Sequence, residues 1–305
     1  MIFGWGKKKK KAADKPAAQA TPPAAPPSPA AVPPAPQVPP VAATPAAQAP
    51  TASPRAPAPW GPEGDAAANQ AIGGLRNFLL SALKTERGIH AETILVASGA
   101  LAGYAAIHAV FEAYLKRGRA QIGDREAAST GKAIVEVKTQ DGQTFYFGDL
   151  INSFLAASHG PASRQFFVWG YLAGVAINAG VPPTELPDIN EMFQHTASTV
   201  GTPAFGIPRA PANLKPILTP RQAVDRLWPA VRAGLARTDG QGAQDRGIDV
   251  EHWPIICAIA AQQLIGQTKG VIDVKVALRL VMESAIAMSR IDPRSVPQEL
   301  PAAAT

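Results

Sequence analysis

Apolar residues recur at three- and four-residue intervals through most of the chain after residue 62, and the elements follow from where that period begins and ends. "DAAANQAIGGLRNFLLSALKTE", from Asp65, sets Ile72, Leu75, Phe78, Leu79 and Leu83 on one helical face, weakened at Gly73-Gly74. "ETILVASGALAGYAAIHAVFEAYLKRGR" predicts a second helix of about 25 residues, apolar almost throughout. Its polar residues His108, Glu112 and Lys116 fall at i, i+4 and i+8, a stripe expected to face water or a partner.

The period changes to two in "KAIVEVKTQDGQTFYFGDL", the one strand-like signal. A two-residue Asp-Gly loop would set Lys138 opposite Phe145, mixing charge and aromatic on one face. A three-residue loop, Gln140-Asp141-Gly142, sets Val135 and Val137 opposite Phe147 and Phe145, with Glu136 and Lys138 opposite Tyr146 and Thr144. It also puts glycine where a type I turn with a bulge needs a left-handed residue, so this register is expected, with one apolar face on the helices.

Helical segments resume with "GDLINSFLAASHG", ended by Gly160 after His159, and "SRQFFVWGYLAGVAINAG", capped by Ser163 and closed by Gly180. "PDINEMFQHTASTVG" makes another. Residues 201–218, "GTPAFGIPRAPANLKPIL", have no helical period and hold four prolines. A loop of that length inside a compact domain is often functional. In "TPRQAVDRLWPAVRAGLAR", Thr219, Pro220 and Gln222 form a capping-box signature, and Pro229 is expected to kink or divide the helix. "HWPIICAIAAQQLIGQ" and "DVKVALRLVMESAIAMSR" follow, the latter with Lys275, Arg279 and Glu283 as a single polar stripe.

The expected fold is therefore mainly α: a compact domain of about seven to eight helices with one small β-hairpin near residues 133–147. It spans residues 63–298, with a short disordered end at 299–305. Ahead of it, residues 12–62 read as a disordered Pro/Ala linker, since residues 1–62 contain 17 of the chain's 31 prolines. Fully extended, the linker reaches about 160 Å. Residues 1–11 form an apolar tip and a polylysine run.

Two apolar runs contain Gly-x-x-x-Gly, at Gly99 with Gly103 and Gly170 with Gly174, a spacing that lets helices approach closely in a membrane or a crowded core. Both are shorter than the ~20 residues a bilayer span needs, which favours buried helices of a globular domain.

Charge alters this picture only at the N-terminus. Residues 1–62 carry seven basic residues and one acidic; the remaining 22 basic and 22 acidic residues cancel, so the whole net charge of +6 sits ahead of the domain. The single cysteine, Cys257, lies in an apolar run and excludes an intrachain disulfide. The tip's order, apolar then basic, is the reverse of a secretory signal, and a cytoplasmic location is expected.

Candidate chemistry is sparse. His108 with Glu112, and Glu191 with His195, have the i, i+4 spacing that can present two metal ligands, but neither belongs to a fuller motif, and no metal or cofactor is expected. Nucleophile-elbow and phosphate-loop patterns are missing. The 201–218 loop is the first choice for an interaction site, through Phe205, Arg209 and Lys215.

The leading expectation is a non-enzymatic adaptor or scaffold. Ile2, Phe3, Trp5, Lys7, Lys8, Lys9, Lys10 and Lys11 would engage an anionic surface, preferably the inner face of a membrane. The helical domain would bind a protein partner, and no small-molecule substrate is implied. Nucleic acid is the rival target for the lysines, and an enzyme with its site on the helical domain is the third reading.

Overall fold

A computed structural model describes residues 58–123, 133–157, 164–236 and 248–299. All lie in the second of two compact units, Arg55–Thr305. The tip, the lysines, nearly all of the linker, His159, Gly160 and Ser163 lie outside the described residues.

The first periodic stretch forms α1, Gly61–Ala82, which starts ahead of Asp65. The Trp60 indole nitrogen donates to Asp65 Oδ1 at 2.9 Å, tying the entering chain to the first turn. Two short strands, β1 (Lys84–Thr85) and β2 (Gly88–Ile89), pair antiparallel and turn the chain into α2, Ala91–Ala109. Helical geometry continues as a π-helical segment, Val110–Leu115.

Together these 25 residues, Ala91–Leu115, are long and apolar enough to cross a membrane, but 94% of the most apolar stretch is buried inside the domain. A polar stripe on α2 is thus overturned in part. His108 is buried, while Glu112 and Lys116 emerge on the π-helical side and pair at 2.7 Å. Burial all round α2 leaves no solvent-facing side for His108 to occupy.

After β3 (Gln121–Gly123) the hairpin strands β4 (Ala133–Lys138) and β5 (Thr144–Phe147) pair antiparallel in the three-residue-loop register, Val135 opposite Phe147 and Lys138 opposite Thr144. Gly142 takes the left-handed position at φ 81°. β3 adds a parallel strand that the period did not announce. The hairpin also lacks a single buried face: Phe145 and Tyr146 are both buried, while Val137 is exposed. The pleat puts Tyr146 on the opposite side, which is covered there: its ring meets Phe111 edge-on and its hydroxyl donates to Glu136 at 3.0 Å.

The remaining helices are α3 (Asp149–Leu155), α4 (Val168–Asn178), α5 (Ile189–Thr199), α6 (Pro220–Ala236), α7 (Trp253–Gln267) and α8 (Val274–Met288). The fold is mainly helical, with eight α-helices and the small hairpin among the described residues. The capping box at α6 is formed: Gln222 N donates to Thr219 Oγ1 at 3.2 Å, and Thr219 N donates to Gln222 Oε1 at 3.0 Å. Pro229 does not divide α6. Val224, Trp228, Val231 and Leu235 bury one face on both sides of it, which outweighs the local cost of about 3 kcal/mol.

α2 is the hub, packed by α6, α7 and α8. Its contact with α8 is close. A Cβ at Gly99 would stand 2.1 Å from Val281 O, and one at Gly103 would stand 1.9 Å from Ala285 O. By contrast, Gly174 would meet only Gln262 Nε2, at 3.9 Å. The first Gly-x-x-x-Gly is thus a helix-crossing device and the second is not.

Candidate functional site

The 201–218 loop crosses the outside of α8 and is fixed at several points. Gly201 and Gly206 adopt positive φ values of 73° and 76° and let the chain turn sharply. Phe205 N donates to Thr202 O and Ile207 N to Ala204 O, each at 3.1 Å, closing successive turns. The Phe205 ring meets Phe145 of β5 edge-on, with centroids 4.8 Å apart. At the far end, Ile217 N donates to Thr93 Oγ1 at 2.9 Å, securing the loop to the start of α2.

Arg209 is the main anchor. Its backbone N and Nε donate to the two oxygens of Glu283 on α8, at 2.6 and 2.9 Å, and its Nη atoms fork onto both oxygens of Glu191 on α5. Glu283 is 3% exposed, so this is a largely buried carboxylate, and it shares the Arg209 guanidinium with Glu191. Arg279 stands 4.0 Å from the same carboxylate. Hydrogen bonds from Arg209 hold the Glu191 carboxyl below its ordinary range, and in return the Arg209 guanidinium is raised.

The structure therefore brings Arg209 and Glu191 together, but not as a ligand pair with His195. Both Glu191 oxygens face Arg209, and His195 is half-buried on α5. His108 and Glu112 separate in the same way: Glu112 turns to Lys116, and the His108 ring stacks on Trp253 at 5.5 Å and meets Trp228 edge-on at 5.1 Å. Among the described residues, no three His, Cys, Asp or Glu side chains cluster as a metal site would require. Lys215 is exposed.

Two grooves flank the loop. One, of about 640 Å³, runs between Arg209 and the start of α8; along it Lys275 pairs with Glu185 at 3.3 Å, and Asp188 and Asp273 cap α5 and α8. The other, of about 510 Å³, lies between the hairpin and residues 201–207, lined by Phe145, Phe205, Arg221 and Met288. Two large apolar side chains stand out from the anchored loop, Ile207 at 56% and Ile217 at 62% exposure.

A second polar cluster was missed in the sequence. Tyr114, on the π-helical segment, donates to Glu251 Oε2 and accepts from Arg164 Nη2. Arg119 donates to Glu251 Oε1 at 2.6 Å and lies over the Tyr114 ring at 4.3 Å. These residues come from separate segments with no shared motif; the only local signal was an acidic residue beside "HWP". The cluster ties the end of the central helix to the turn that precedes α7.

No protein-family model, curated protein or solved structure matches this chain, so its residues alone carry the reading.

Proposed function

We propose that this protein is a non-enzymatic adaptor, with a lysine-rich tip that engages an anionic surface and a helical domain that holds a protein partner on the 201–218 loop. The observation that carries the reading is Arg209. It ties the loop to α5 and α8 while Ile207 and Ile217 remain exposed, so two apolar anchors are held on a backbone already ordered. A pre-ordered loop loses little conformational entropy when a partner covers it. The carboxylates nearest the loop, Glu191 and Glu283, are engaged as structural acceptors of that same arginine.

The tail reading rests on charge. Five consecutive lysines, at about 1 kcal/mol each near an anionic bilayer, give a reversible contact, and Ile2, Phe3 and Trp5 add interfacial contact that phosphate binding alone would not use. Membrane is therefore preferred to nucleic acid.

Sedimentation with phosphatidylglycerol-containing vesicles tests the tail: the full chain should pellet, and a chain lacking residues 2–11 should stay in solution. Equal pelleting of both would sink the membrane reading. Binding to duplex DNA with a log–log salt slope of about −4.5 would favour nucleic acid instead. For the loop, a partner retained by the full chain should be lost with Ile207→Asp/Ile217→Asp and kept with Val271→Asp, whose residue is exposed elsewhere.

A further inference from the structure

One buried arginine has no counter-charge among the described residues. Arg290 follows the end of α8 and is 3% exposed. Its backbone is fixed by β5, where Tyr146 N donates to Arg290 O at 2.7 Å and Phe145 bridges to Ile291, so the side chain is directed inward from a pinned position. Nη2 donates to Asn152 Oδ1 on α3 at 2.6 Å. The guanidinium carbon lies 5.3 Å from the Phe147 ring centre and 5.5 Å from that of Phe193. Nη1 is buried and has no acceptor among the described residues.

Buried arginines are normally paired, because a desolvated charge without a counter-charge is costly. Aromatic faces and one amide oxygen offset part of that cost and supply no negative charge. Burial draws the Arg290 pKa down to about 10, and no carboxylate among the described residues opposes it. The group is still cationic at neutral pH. A buried water would satisfy Nη1 but would leave the charge unbalanced.

We propose that Arg290 and Asn152 form the floor of a binding site for a small oxyanion, a carboxylate or a phosphate, enclosed by Phe147 of β5 and Phe193 of α5. The donors suit such a ligand. A guanidinium presents a planar fork matched to two oxygens. Asn152 accepts from Nη2 through its oxygen, which leaves its Nδ2 hydrogens for a second contact. A ligand would have to displace Phe147, Asn152 or Phe193, each of which is only half-buried. The site is separate from the Arg209 anchor and goes beyond the adaptor reading.

The test is thermal unfolding of the full chain near neutral pH at fixed ionic strength, replacing chloride with acetate in one arm and inorganic phosphate in the other. The wild type should show a saturable rise in Tm, about 5 °C or more at roughly 100-fold above the Kd. A larger response to acetate assigns a carboxylate site, and a larger response to phosphate assigns a phosphate site. Arg290→Met should abolish the response. Asn152→Asp supplies the missing charge within the chain, so it should raise the starting Tm and also abolish the response; this variant decides the matter if Arg290→Met does not fold. No saturable rise in the wild type, or the same rise in the wild type and Asn152→Asp, would show a general salt effect or an adventitious ion only and would overturn the proposal.

Discussion

Gly103 of α2 stands against Ala285 of α8 so closely that a Cβ on the glycine would fall 1.9 Å from the alanine's carbonyl oxygen. The obstacle is helix backbone, which cannot rotate aside as a side chain can. Gly103→Ala must therefore push the two helices apart or fail to pack, at a cost of about 3 kcal/mol or more. Gly174→Ala is the matched control: its added methyl meets only the end of Gln262, and better helix propensity should make it neutral or stabilising by up to about 1 kcal/mol. Urea midpoints of the two variants measure the contrast, and similar losses in both would show that the α2–α8 crossing is not the constraint.

The Arg209 anchor has two unequal arms. Glu283 is 3% exposed on its side chain and Glu191 42%. Arg209→Met leaves the buried carboxylate only Arg279, at 4.0 Å, as a counter-charge and should cost about 3 kcal/mol, whereas Glu191→Gln should cost less than about 1 kcal/mol because water already competes for that pair. Arg209→Met combined with Glu283→Met should recover part of the loss, since both charges leave together. A double-mutant cycle by urea unfolding checks this; a coupling energy near zero between Arg209 and Glu283 would contradict the geometry.

How much of this was readable in advance depends on the range of the information. Helix periods, the Thr219–Gln222 cap and the hairpin register are local, set by residues a few positions apart, and they appear as expected, except that the helix expected to start at a Ser163 cap begins only at Val168, after an extended Phe167. The contacts of Arg209 with Glu191 and Glu283 span 18 and 74 residues, so the loop was legible as irregular, but its clamp was not. His108 misled for the same reason. An i, i+4 polar stripe reads as solvent-facing unless the chain is known to surround that helix, and here Trp228 of α6 and Trp253 of α7 cover the His108 ring. The parallel strand β3 and the Tyr114–Glu251 link have no periodic signature at all.

Cys257 offers a reporter of opening. It is 1% exposed on α7, and burial pushes its thiol up to about 12, so almost none is thiolate at mildly alkaline pH. A disulfide reagent such as dithionitrobenzoate should leave the native protein unlabelled over minutes and react at once in denaturant. In between, the labelling rate should rise with urea as the population of open molecules does. Native labelling at the speed of a free thiol would mean that the face of α7 around Cys257 is not closed.

Stability toward acid should carry a histidine component. Burial lowers the His108 pKa from 6.5 to about 4, Glu112 opposes the shift, and the charges of Arg232 and Lys116 reinforce it. The sign follows from which state takes the proton. Above pH 6.5 neither state is protonated and the full stability is present. As pH falls from 6.5 toward 4, the unfolded chain binds a proton that the native ring refuses, so stability declines; below 4 both states are protonated and the loss levels off. At roughly 1.4 kcal/mol per pH unit the gap amounts to about 3 kcal/mol. His252, also lowered by burial, adds a slope of the same sign. The depressed carboxyls of Glu191 and Glu251 contribute only lower in the range, beneath the ordinary carboxylate value, so the upper part of the window belongs to the histidines. His108→Phe keeps a ring against Trp253 and removes the titration. Urea unfolding at successive pH values should therefore show a flatter decline in this variant between pH 6.5 and 5, and parallel curves for variant and wild type would place the acid sensitivity elsewhere in the domain.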